Sequence, residues 1–116
     1  METSATVQAQ VRESDGVAIV DLHGEIDNLA EQTLNAAYAD ATKNKPAKIL
    51  LNFKNVQYIN STGIALIVGM MAQARKSGIK FLAAGLSEHY MEIFRITRLS
   101  DFMSIYPDET TALANK

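Results

Sequence analysis

Four consecutive residues, Asn60, Ser61, Thr62 and Gly63, stand directly before the apolar run Ile64 to Ala72. Asn, Ser and Thr are preferred helix caps, because a side-chain oxygen accepts one of the unpaired N–H groups of the first turn. One cap accounts for one such residue and not for three. Gly63 is a poor helix former placed in the first turn of the expected helix, where a missing Cβ lets another backbone approach closely. A Ser61 hydroxyl left exposed here is a place where a modification can act. A phosphate would bring about −1.5 to −2 charges beside helix N–H groups that tolerate anions. The same charge would abut Ile64 and its neighbours, and a partner docked there would have to desolvate it. Taken alone, these residues fit a cap only, or a cap that is also a switch.

Other residue sets offer less chemistry. Glu25 and Asp27 could in principle form an acid/base pair, but their i, i+2 spacing in an expected loop suits turn and helix-cap roles better. His23 and His89 lie far apart, outside any two-His metal spacing, and are expected to be structural or surface residues. Ser61 lacks the G-x-S-x-G elbow of a hydrolase nucleophile, and neither a Walker-type loop nor G-x-G-x-x-G is present. With no cysteine, disulfides, thiolate nucleophiles and Cys-ligated zinc are excluded. No catalytic residue, metal or cofactor is assigned, and the chain is expected not to be an enzyme. A net charge of −2 argues against nucleic acid as a partner. The basic clusters Lys43/Lys45/Lys48 and Arg75/Lys76/Lys80 sit where helix ends favour cations. The first ten residues carry no signal-peptide pattern. The longest apolar run is about half the length of a membrane span. A cytoplasmic domain with no membrane insertion is the expectation.

The elements that must position these residues follow from periodicity. With 116 residues, 47% of them hydrophobic, the chain is expected to be one domain with its own core. Residues 5–12 alternate as a half-wet strand, Ser14-Asp15-Gly16 signals a turn, and a second strand over 17–24 ends at Gly24. A helix is predicted from Leu29 to Lys43, capped by Asn28 with Glu31 three residues on, its inner stripe formed by Ala30, Leu34, Ala37, Tyr38 and Ala41. Residues 48–53 read as a strand buried on both faces, 54–58 as a connector, and Thr62 to Ser77 as a helix stopped by Gly78. A strand over 79–85 completes a parallel strand–helix–strand crossover. Ser87 caps a short helix, residues 101–106 form a last strand or extended segment, and Asp108 opens a terminal helix. The fold class is therefore α/β: a mixed sheet of four to five strands with about four packed helices.

Three blocks, Leu22 to Asp27, Lys48 to Met71 and Gly78 to Leu113, together resemble the STAS family, and within it the bacterial anti-sigma factor antagonists. The resemblance runs from about Val7 to Leu113 and includes the spacing between blocks. It implies a non-enzymatic switch that, unphosphorylated, binds an anti-sigma factor, a serine kinase of histidine-kinase-like ATPase fold, and so releases a sigma factor. That kinase phosphorylates the antagonist, and a PP2C-type phosphatase resets it. Ser61 matches the phosphorylated position, with Thr62 as the fallback. Glu25, Asp27, Asn60, Ser61, Thr62, Gly63 and Ile64 match the partner-binding face. One position departs from the family pattern: Asn60 stands where the usual residue is Asp, which keeps the capping oxygen and removes a charge. That departure leaves an alternative, a STAS scaffold subunit of a stress-signalling or lipid-transport assembly that is never phosphorylated.

Overall fold

The computed structural model describes residues 7–114. The first two residues of the expected opening strand, and the last two of the expected terminal helix, lie outside them. Five strands, β1 (Val7–Ser14), β2 (Val17–Ile26), β3 (Lys48–Ile59), β4 (Lys80–Ala84) and β5 (Ser104–Tyr106), form one sheet in the order β1-β2-β3-β4-β5. The β1/β2 hairpin is antiparallel and every other pairing is parallel. Four helices accompany it: α1 (Glu31–Thr42), α2 (Ser61–Lys76), α3 (Glu88–Ile96) and α4 (Glu109–Ala114), with a 3-10 turn at Leu99–Asp101.

Alternation along the strands divides the core in two. Ala18, Val20, Ile49, Leu51, Phe53, Phe81 and Ala83 face the side covered by α1, α2 and α3. Val17, Ile19, Leu50, Leu82 and Ala84 face the other side, with Ala112 of α4. β3 thus buries successive residues on opposite faces, as its continuous apolar pattern predicts. α1 buries Leu34, Ala37, Tyr38 and Ala41, the stripe expected from their spacing.

The structure differs from the sequence expectation in three places, and each bears on the site. β2 does not stop at Gly24. Gly24 takes a φ of +97°, and register shifts on either side of His23–Gly24 accommodate a bulge. The strand then continues, pairing Glu25 with Tyr58 and Ile26 with Ile59. Residues 54–58 are correspondingly strand and not connector, so β3 reaches Ile59. At the start of α1, Asn28 makes no cap. The helix begins after Ala30 with no side-chain cap bond, because the chain first turns on Asp27, whose carboxylate accepts the Leu29 N–H at 2.9 Å and whose carbonyl accepts the Ala30 N–H at 3.0 Å.

α4 is tied to the sheet by a polar cluster. The Arg12 guanidinium donates to both carboxylate oxygens of Asp21, at 2.5 and 3.0 Å, and to Glu109 at 2.7 Å; Asn52 donates to Asp21 at 2.9 Å. The Arg12 hydrogen bonds hold the Asp21 carboxyl below its usual range, and Asn52 adds to this, against an opposing push from burial. The unfolded chain therefore takes up this proton at a higher pH than the folded one. The stabilisation is complete above the unfolded value, near pH 4, and is lost as pH falls through the lowered folded value. Denaturant midpoints measured from pH 7 to pH 2.5 should fall below pH 4, and Arg12→Met should flatten that fall. Equal slopes for both proteins would refute the coupling.

Candidate functional site

The extension of β2 and β3 builds the site. Both strands run parallel and end together, so Glu25, Ile26 and Asp27 lie beside Tyr58, Ile59 and Asn60 at one sheet edge. The Asn60 N–H donates to the Ile26 carbonyl at 3.1 Å, one step past the last strand pair. Asn60 is extended there, with φ −92° and ψ −178°, and its side-chain oxygen accepts the Gly63 N–H at 2.8 Å. Asn60 is the cap of α2. Neither hydroxyl is used for it, and Ser61 and Thr62 are both exposed on the first turn.

Gly63 is required by proximity. A Cβ on this residue would lie 2.1 Å from the Ile26 carbonyl oxygen and 2.8 Å from its carbonyl carbon. The first turn of α2 therefore sits directly on the end of β2, which is the close backbone approach expected from a glycine at this position. Gly63 is buried, Ile64 half-buried, and Ser61 points to solvent between them and the sheet edge. Glu25 is exposed and Asp27 half-buried. The fold thus brings all seven residues singled out in the sequence, Glu25, Asp27, Asn60, Ser61, Thr62, Gly63 and Ile64, to one edge, at the ends of β2 and β3 and the start of α2.

Sequence reasoning missed the contribution of α3. Ser87 caps this helix, as expected, by accepting the Tyr90 N–H at 3.3 Å. Tyr90 is buried, and its hydroxyl closes on a single residue of β3: it accepts the Ile59 N–H at 2.9 Å and donates to the Ile59 carbonyl at 3.2 Å. Ile59 immediately precedes the cap, so α3 is pinned to the root of the site. Between α3 and α2 lies an open groove of about 460 Å³, lined by Tyr58, Ser61, Ile64, His89, Ile93 and Thr97 among others. Tyr58 is 49% exposed, an unusual degree for a large aromatic. His89 packs edge-on to Tyr90, ring centroids 4.8 Å apart. The apolar spacing of α3 identifies its inner face, but nothing in the sequence links that helix to residue 61; the Tyr90–Ile59 bonds and the shared groove do.

The arrangement suits docking. An exposed hydroxyl stands at a helix start with no acidic residue in its first turn, beside an apolar groove. Among the described residues no group of three His, Cys, Asp or Glu could hold a metal ion, and no helix is long and apolar enough to cross a membrane. The family model of the STAS domain matches residues 8–112.

The chain belongs to the STAS family.

Its relatives include the anti-sigma-B factor antagonist of Bacillus subtilis, 27% identical over 99 residues that cover 85% of this chain and 90% of the relative. The anti-sigma F factor antagonist of Paenibacillus polymyxa is 25% identical, with 92% of each chain covered. Among solved structures, an anti-sigma factor antagonist from Mycobacterium paratuberculosis superposes with a TM-score of 0.77 at 22% identity, covering 97% of each chain. This STAS domain therefore has the family's fold over its described length.

The buried contact of Gly63 makes a prediction opposite to helix propensity. Ala is favoured over Gly inside a helix by about 1 kcal/mol, yet Gly63→Ala should destabilise by about 1–3 kcal/mol or prevent folding, because the Ile26 carbonyl cannot yield. Urea unfolding decides it, and a stability equal to or above wild type would reject the close approach. Asn60→Ala should lose about 1 kcal/mol with the cap, whereas Asn60→Asp should keep it, since a carboxylate accepts the same Gly63 N–H.

Proposed function

We propose that this STAS domain is an anti-sigma factor antagonist: a binding module, not an enzyme, whose docking edge is switched by phosphorylation of Ser61. The observation that carries the reading is the division of labour at the start of α2. Asn60 makes the cap bond, so the exposed Ser61 hydroxyl is not committed to holding the helix. The names of the relatives support the same reading. The partner is an anti-sigma factor that is itself a serine kinase of histidine-kinase-like ATPase fold, and a PP2C-type phosphatase returns the antagonist to its binding form. Glu25, Asp27, Asn60, Ser61, Thr62, Gly63 and Ile64 form the docking edge, which the groove between α2 and α3 extends. The setting of such a switch is the bacterial cytoplasm.

In the unmodified protein the partner covers Ser61 and the apolar surface around Ile64. Phosphate on Ser61 would place about two negative charges on that surface. The free α2 start accommodates them, since backbone N–H groups point toward the anion and Asn60 carries no charge to repel it. A docked partner would have to strip water from the same charge, which costs several kcal/mol without a compensating cation. Modification therefore acts on the interface and leaves the fold alone.

Asn60 in place of the family's usual Asp favours one second reading, a scaffold subunit of a stress-signalling or lipid-transport assembly that docks through this edge without phosphorylation. Incubation with the cognate kinase and ATP, followed by mass spectrometric mapping, separates the two. The switch expects phosphate on Ser61, with Thr62 the fallback acceptor; an active kinase that labels neither residue would leave the scaffold. Ser61→Asp should weaken partner binding more than tenfold, ~1.4 kcal/mol. Its thermal midpoint should move by no more than about 3 °C, the span of a ~0.5 kcal/mol surface substitution. Equal binding by wild type and variant would reject the switch.

A further inference from the structure

A cavity lies at the other end of α2 from Ser61. It is an open cleft of about 620 Å³ between the last turns of α2, the start of β4 and the segment joining the 3-10 turn to β5, a volume within the range of small-molecule sites. Its floor is apolar: Met71, Phe81 and Met103 are each buried to 93% or more and line it. Methionine walls adapt to irregular and aromatic shapes. Arg75 and Lys80 stand at its margin, and the Arg75 guanidinium lies over the Phe102 ring, 5.1 Å from its centroid.

Helix-end electrostatics explain part of this. Arg75 lies in the last turn of α2, where a cation offsets the dipole. That account does not reach Lys80, which opens β4, nor Phe102, whose ring is half exposed beside the cavity. The last carbonyls of α2 are already engaged by the N–H groups of Ser77, Gly78 and Ile79. The cavity's carboxylate, Asp101, is paired with the Arg98 guanidinium at 2.6 Å. Two cations therefore face the cavity against one carboxylate that is paired from outside, and Ser100 and Ser104 add hydroxyls to the lining.

We infer that this cavity binds a small amphiphilic anion: an aromatic or aliphatic body on the Met71/Phe81/Met103 floor, with its acidic group between Arg75 and Lys80. The site is independent of the Ser61 edge, since residues 61 and 75 are separated by about 21 Å of helix.

The test uses 1-anilinonaphthalene-8-sulfonate as the anionic probe and N-phenyl-1-naphthylamine as its neutral counterpart, by fluorescence titration and by amide chemical shifts of the folded protein. The expected result is saturable one-to-one binding of the sulfonate, with shifts centred on residues 78–81 and 100–104. The double variant Arg75→Ala/Lys80→Ala should weaken the sulfonate at least tenfold and leave the neutral probe within twofold. Phe102→Ala should weaken both probes. Absence of saturable binding, shifts centred elsewhere, or sulfonate affinity unchanged in the double variant would overturn the proposal. So would an equal loss of both probes in that variant, because the cations would then shape the cavity without selecting charge. All three altered side chains are exposed, and circular dichroism verifies that the variants are folded.

Discussion

The contact on which this domain's organisation depends is the seat of Gly63 on the carbonyl of Ile26. It joins the first turn of a 16-residue helix to the end of a parallel strand at a distance no side chain would permit. From that contact follow the position of α2 over the sheet, the extended geometry of Asn60, and the direction in which Ser61 points. Removing water from the Ile26 carbonyl is tolerable because the same oxygen accepts the Asn60 N–H, so the close approach leaves no buried acceptor unmet. A single hydrogen-bonded carbonyl thus supports both the strand end and the start of the helix.

A second constraint acts from the opposite side. Tyr90 offers one hydroxyl as acceptor to the Ile59 N–H and as donor to the Ile59 carbonyl, meeting the hydrogen-bonding needs of the last residue of β3 where no neighbouring strand does so. Buried polar groups left without partners cost about 1–3 kcal/mol each, so a tyrosine here stabilises through its oxygen as well as its ring. The consequence is spatial: α3 is tied to the end of β3, directly before the cap of α2.

Much of this was legible in the sequence. The inner stripe of α1 is read correctly from the spacing of Leu34, Ala37, Tyr38 and Ala41, and the crossover through α2 from strand, helix and Gly78. The seven residues grouped by their resemblance to a family pattern lie at one sheet edge, and the poor fit of Gly63 to a helix reflects its close approach to Ile26. What sequence reading missed are matters of pairing and competition. Gly24 looks like a terminator, but in a two-sided sheet its positive φ serves a bulge, and the strand resumes because Tyr58 and Ile59 await it. Asn28 looks like a cap, but Asp27 one residue earlier captures the turn first. Tyr90 looks like any buried aromatic, since no periodicity records which backbone group its hydroxyl meets.

The assignment of the cap to Asn60 resolves the tension between a structural and a switching role for the hydroxyls that follow it. Had Ser61 itself held the Gly63 N–H, phosphorylation would have replaced a neutral cap with a bulky dianion, and binding and folding would have changed together. With the bond made one residue earlier, Ser61 lies in the first turn, where a helix has unmet N–H groups and where α2 has no carboxylate of its own. An Asp at position 60 would make the same bond but set a negative charge next to the phosphate. Asn60 carries no such charge, so a phosphate on Ser61 would be relieved of a like-charge cost that a family member with Asp would carry. On electrostatic grounds, the departure at Asn60 would therefore make a phosphorylated helix start easier to hold.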